Sequence, residues 1–167
     1  MLNSLRTEFC GKAEFGARAL GNRSILADPT KANMKDLINS RVKFREEFRP
    51  FAPAVIEERC SEIFDLKCSS PFMTVAVNVK KEWRNKLKAV THVDGTARVQ
   101  TVNSDQNLLF YKLISELGNI TGVPVVLNTS FNVMGEPIVE TPMNAISTFS
   151  ASGLDSLIIG QFLVTKK

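Results

Sequence analysis

The sequence predicts an α/β domain: a mixed, twisted sheet with helices flanking it. Strand-like apolar runs and segments of helical period are interspersed along the whole chain rather than segregated. The run Val123-Pro124-Val125-Val126-Leu127 is short and wholly apolar, the pattern of a strand covered on both faces. A length of 167 residues with 44% hydrophobic and 23% charged side chains suits one domain around one core.

Taken in order, Glu14 to Pro29 is punctuated by Gly16, Gly21 and Asp28-Pro29 and predicts a structured loop. Met34, Leu37, Ile38 and Val42 then recur at helical spacing, with Thr30 as the expected N-cap. Phe51 to Ile56 predicts a strand with Pro53 at its start or edge. Met73, Val75, Val77 and Val79 alternate as in a half-buried strand, and Ala97 to Val102 alternates as well. Leu109, Phe110, Leu113, Ile114 and Leu117 form one stripe of a helix beginning near Asp105 and ended by Gly118. Thr141 as N-cap and Pro142 as first residue open a last helix, Gly153 follows its end, and Ser156 to Val164 predicts a final strand.

Composition narrows the class of protein. No apolar run approaches the roughly 20 residues of a membrane-spanning helix. The opening Met1-Leu2-Asn3-Ser4-Leu5-Arg6 lacks the layout of a secretory signal, so a cytoplasmic location without membrane contact is expected. Cys10, Cys60 and Cys68 fit no zinc spacing and read as reduced thiols, so no protein-bound metal site is expected. The net charge of +4 is concentrated early: residues 1–49 carry ten Lys/Arg against six Asp/Glu, whereas residues 92–167 carry four against six. Such a surplus fits either a phosphate-bearing ligand, a nucleic acid, or a plain solvated face.

Three polar stretches exceed what a core needs. In Gly16-Ala17-Arg18-Ala19-Leu20-Gly21-Asn22-Arg23-Ser24, glycines let backbone N–H groups approach an anion while Arg18 and Arg23 offer planar forks; a structural turn with exposed cations is the alternative. In Val42-Lys43-Phe44-Arg45, an extended backbone would aim Lys43 and Arg45 to one side, about 7 Å apart, with Val42 and Phe44 toward the core. Glu46 and Glu47 offer ion pairs instead. The third, Leu127-Asn128-Thr129-Ser130-Phe131-Asn132, is a polar turn after the most apolar strand, where α/β sheets tend to bind ligands. Between these stands Arg98 in an apolar strand, needing a partner that is either Asp94 or an anionic ligand. His92, the one histidine, reads as a hydrogen-bonded structural residue.

Together, Glu14-Phe15-Gly16-Ala17-Arg18-Ala19-Leu20-Gly21-Asn22-Arg23-Ser24, Lys43-Phe44-Arg45-Glu46, Phe48-Arg49-Pro50-Phe51-Ala52-Pro53, His92-Val93-Asp94-Gly95-Thr96-Ala97-Arg98 and Leu127-Asn128-Thr129-Ser130-Phe131-Asn132 closely resemble the carboxy-terminal domain of the nodulation-factor and antibiotic O-carbamoyltransferase family. The resemblance runs from about residue 11 to residue 164 in the family's order. That domain is similar to the YrdC fold, whose K-x-R pair and S-x-N element line a basic concave site, matched here by Lys43/Arg45 and Ser130/Asn132. The resemblance implies that residues 1–167 are one YrdC-like domain of a longer, two-domain protein. It further implies binding of ATP with Mg²⁺ and of carbamoyl phosphate, and formation of carbamoyl-adenylate. Lys43, Arg98 and Ser130 are the expected catalytic residues, with Arg18, Arg23, Arg45, Arg49, Asn128 and Asn132 as binding residues. The family's amino-terminal transferase domain is the implied partner, and a homodimer of the isolated domain is compatible with a cut interface.

Two departures stand out: Ala17 replaces the family's usual Pro after Gly16, and Met134 replaces the usual Arg before Gly135. Within the same fold, threonylcarbamoyl-adenylate synthesis is the alternative, which the long motifs disfavour. A non-catalytic RNA-binding module is the alternative of another class. The single Trp, single Tyr and dispersed phenylalanines disfavour nucleic acid by offering no evident stacking platform.

Overall fold

The computed structural model describes residues 5–46 and 48–166. The strands are β1 (Arg6–Phe9), β2 (Arg23–Ala27), β3 (Ala52–Ile56), β4 (Ala76–Asn78), β5 (Thr96–Arg98), β6 (Gln100–Val102), β7 (Val125–Ser130), β8 (Ser156–Ile159) and β9 (Phe162–Thr165). The helices are α1 (Met34–Ile38), α2 (Glu57–Ile63), α3 (Lys81–Arg84), α4 (Leu108–Thr121) and α5 (Pro142–Ala151). A π-helical turn, Asn39–Lys43, continues α1.

Seven strands form one mixed sheet in the order β6-β3-β7-β2-β1-β8-β9, parallel only at β3/β6 and β1/β8, while β4 and β5 pair separately. Strand β7, the apolar run of the sequence, lies between β3 and β2 with Val125 to Leu127 buried. Its side chains alternate between two cores. Val125 and Leu127 join the larger cluster with Ile25, Met34, Ile38, Ile63 and Phe149, which lies under α1, α2 and α5. Val126 joins Leu26, Ala54, Phe110 and Ile114 under α4. Helices on both faces of a mixed sheet make the α/β class anticipated from the sequence.

Several elements differ from the sequence-based reading, each for a local reason. Thr30 does not cap α1; its N–H and hydroxyl both donate to Asp28 Oδ1 in the preceding turn, and Asn33 precedes the helix. Pro53 does stand near the start of β3, but β3 is flanked on both sides, with the β6 register beginning one residue later at Ala54. The alternation from Met73 to Val79 yields only three residues of strand, because Met73 takes φ 55° and breaks the extended run. Ala97 to Val102 divides between two sheets, and Ser156 to Val164 folds back at Gly160 into β8 and β9. Gly118 does not end α4; the helix runs on to Gly122, at φ 74°. Gly118 serves instead as a contact, since a Cβ there would lie 2.8 Å from Pro124 Cβ. Strands β1 and β2 and helices α2 and α3 were not anticipated. The last helix matches closely: Thr141 and Asn144 form a capping box, with Pro142 in the first turn.

Candidate functional site: a cationic cleft at the end of the central strand

The site begins with where β7 ends. Asn128 and Ser130 stand two and four residues on from Val126 and so lie with it on the α4 side of the sheet, past the apolar floor. Asn128 is buried and ties the glycine loop to the sheet: its Nδ2 donates to Ala19 O (3.1 Å) and to Gln100 Oε1 (2.8 Å), while Gln100 Nε2 donates to Leu20 O (3.0 Å). The loop is held from its other end by Glu14, whose Oε1 accepts from Leu20 N and Asn22 N, each at 2.7 Å. Gly21 is required at its turn, for it has φ 123° and a Cβ there would lie 2.6 Å from Phe110 Cδ1.

Arg18 of this loop lines one cleft with Arg45 and Arg98, together with Asn128, Thr129, Ser130, Met73 and residues of the glycine loop and of the 50–52 stretch. Among the described residues no carboxylate lines it. Burial lowers the pKa of Arg98, and the neighbouring Arg18 adds to the effect; Arg45 is lowered by burial, then by Arg49 and Arg98. Glu46 acts on Arg45 in the opposite direction as the smallest of the causes, so the balance of charge at the cleft stays cationic and favours an anion. Arg98 is not satisfied by Asp94. That carboxylate instead accepts from Thr96 N (2.9 Å) and Oγ1 (2.7 Å), which hold its pKa below the usual range, and Arg98 Nε is buried without a partner among the described residues. His92 is the structural residue expected: Nδ1 lies 3.0 Å from Thr96 Oγ1, and burial lowers its pKa.

Lys43 and the Ser130/Asn132 pair do come together, by a route the sequence did not suggest. Residues 42–45 are not extended: Lys43 closes the π-helical turn, Phe44 is left-handed at φ 45° and exposed, and only Val42 is in the core. From the α1 side, buried Lys43 reaches the end of β7, where Nζ donates to Ser130 O (2.6 Å), Asn132 Oδ1 (2.7 Å), Asn132 O (3.0 Å) and Ser130 Oγ (3.3 Å). Ser130 Oγ in turn donates to Asn132 Oδ1 at 2.7 Å. Burial, with the charge of Arg45 second, pulls the Lys43 pKa down to about 7. Lys43 thus stands one hydrogen bond behind Ser130 and shapes its loop. Arg45 stacks on Phe51, 4.4 Å from the ring centroid, and its Nε donates to Asn39 Oδ1.

Arg23 and Arg49 do not line the cleft. Arg23 is buried over the Phe9 ring at 3.6 Å and directs its guanidinium to the carbonyls of Cys10, Gly11 and Asn22, because β2 aims it to the opposite face from Ser24. Arg49 forms an exposed ion pair with Glu46 at 2.9 Å. The sequence reading passed over Gln100 and the bracing role of Glu14. Gln100 carried a usable signal, a polar side chain in an apolar alternating strand. Among the described residues no group of three or more His, Cys, Asp or Glu could hold a metal ion.

In class this is an α/β domain with an arginine-lined cleft beyond the end of a central strand. The match to known sequences is specific. The family described as "Carbamoyltransferase C-terminus" matches residues 3–166, and the chain belongs to that family. It is 52% identical over 160 residues to the nodulation protein NolNO of Sinorhizobium fredii, covering 94% of this chain and 24% of that protein. It is 51% identical to the nodulation protein NolO of Bradyrhizobium diazoefficiens, covering 94% and 29%, and 44% identical to nodulation protein U of Rhizobium tropici, covering 75% and 22%. The chain therefore spans between a fifth and a third of the length of these relatives. Among the described residues no helix is long and apolar enough to cross a membrane.

Proposed function

We propose that this domain binds ATP and carbamoyl phosphate and forms carbamoyl-adenylate, as the activating part of a longer O-carbamoyltransferase acting in the cytoplasm. The observation that carries this reading is the convergence of Arg18, Arg45 and Arg98 on a cleft with no carboxylate in its lining among the described residues, and with Ser130 at its wall. Two anions must meet for the chemistry to occur, and fixed guanidinium forks offset that repulsion.

Water cleaves carbamoyl phosphate to carbamate and phosphate; a carbamate oxygen then attacks the α-phosphorus of ATP. The bond from that phosphorus to the bridging oxygen breaks, and pyrophosphate leaves with the electron pair. Arg18, Arg45 and Arg98 neutralise the phosphates, while Lys43, through Ser130 and Asn132, fixes the hydroxyl and amide that orient them. Asn128 holds the glycine loop against the sheet. No covalent nucleophile is required. Mg²⁺ would accompany ATP and supply further charge neutralisation on the phosphates; among the described residues the cleft lining offers the ion no carboxylate.

The test is pyrophosphate release from ATP and Mg²⁺, with and without carbamoyl phosphate, comparing the wild type with Lys43→Ala and Ser130→Ala. Release that depends on carbamoyl phosphate and collapses in both variants supports the reading. Release that is indifferent to carbamoyl phosphate would sink it.

A further inference from the structure

Among the described residues the α4 face of the sheet is only half covered. Helix α4 packs over β3 and β7, and beyond it the face continues across β2, β1 and β8. There a groove of about 600 Å³ is lined by Leu26, Val126 and Ile158 from the sheet and by Leu113, Leu117 and Ile120 from α4. Ile120 is 75% exposed although it points along an apolar stripe. Strands lie about 4.8 Å apart and packed helices about 8–10 Å apart, so the next helix of this layer belongs two strands along from α4, where the groove runs. The groove's rim carries Asp28 and Glu116 against Arg6, an acidic balance that suits an occupant with basic residues beside its apolar stripe.

We propose that this groove seats an amphipathic helix contributed by the part of the longer polypeptide that precedes this domain. The proposal rests on the reading of this chain as one part of a larger carbamoyltransferase. Its relatives extend well beyond the matched region, the matched family region is a carboxy-terminal one, and β1, which floors the groove, is the strand into which a preceding segment would lead. An apolar surface of this size on a domain tethered to so much additional chain is most simply covered by that chain.

Hydroxyl-radical footprinting read by mass spectrometry tests this directly, comparing the 167-residue chain with the full-length polypeptide. Oxidation of Leu113, Leu117 and Ile120 is expected to fall severalfold in the full-length protein. In full-length Ile120→Asp, a surface change that leaves the core intact, oxidation of Leu113 and Leu117 should return to the level of the short chain. Equal oxidation in both wild-type forms overturns the proposal. So does protection in the short chain that grows with concentration alongside a dimer mass by light scattering, which would assign the groove to a second copy. The measurement involves no nucleotide, so it can fail while pyrophosphate release succeeds, and the reverse.

Discussion

The cleft and the groove lie on the same side of one sheet and are built in opposite ways. The cleft is formed where polar residues of β7 emerge past the core, and its walls are set in place by an internal hydrogen-bond network: Glu14, Gln100 and Asn128 to the glycine loop, Lys43 to Ser130 and Asn132. The groove is formed where a layer of helices stops short, and little but side-chain shape defines it. A site for a small anion requires donors fixed before the ligand arrives, whereas a seat for a polypeptide needs mainly apolar area. The buried titratable groups make the same contrast. Burial pulls Lys43 beside the cleft down to about 7 and pushes Glu8 at the groove up to about 7.

The largest effect is expected from breaking the cleft. Arg98→Met removes a guanidinium that no acid satisfies, so carbamoyl-phosphate-dependent pyrophosphate release should fall about a hundredfold or more, roughly 3–4 kcal/mol, with the urea midpoint nearly unchanged. A rate within threefold of wild type would remove Arg98 from the site.

Next comes Glu8, whose folded-state pKa is raised by burial, with the Glu14 charge adding and the Cys10 hydrogen bond opposing. A raised carboxyl binds its proton more tightly in the folded state, so its contribution is full below about 4.5 and is lost as pH rises through about 7. The loss is at most about 3 kcal/mol. Glu8→Gln should flatten this slope in urea unfolding between pH 5 and pH 7.5 while leaving nucleotide binding alone.

Gly118→Ala probes α4, the helix that walls the groove through Leu113, Leu117 and Ile120, from its contact with Pro124. Alanine favours the helix by about 1 kcal/mol, but overpacking against Pro124 costs roughly 1–3 kcal/mol, so a net destabilisation of about 1 kcal/mol is expected by urea unfolding. The cleft, near the other end of α4, should keep its ATP affinity.

The smallest effect is the most diagnostic of Lys43. An anion beside Ser130 raises the Lys43 pKa, so ATP binding at pH 7 should take up about half a proton, and less at pH 6, where the amine is already charged. Calorimetry in buffers of different ionisation enthalpy reads this uptake. In Lys43→Met it should vanish.

The sequence by itself determined the α/β class, the central place of β7, the capped last helix, and the presence of a K-x-R pair and an S-x-N element. Each is local: period, capping chemistry and side-chain type are written within a few residues. Tertiary structure decided which arginines serve the cleft. Arg18 and Arg23 are five residues apart in one loop, yet one lines the cleft while the other is buried over Phe9, because strand β2 begins at Arg23 and its pleat fixes the side. It also made Gly118 a contact rather than a stop and divided Ala97 to Val102 between two sheets. Such outcomes depend on what packs against a residue from distant parts of the chain, and no local pattern encodes the neighbour.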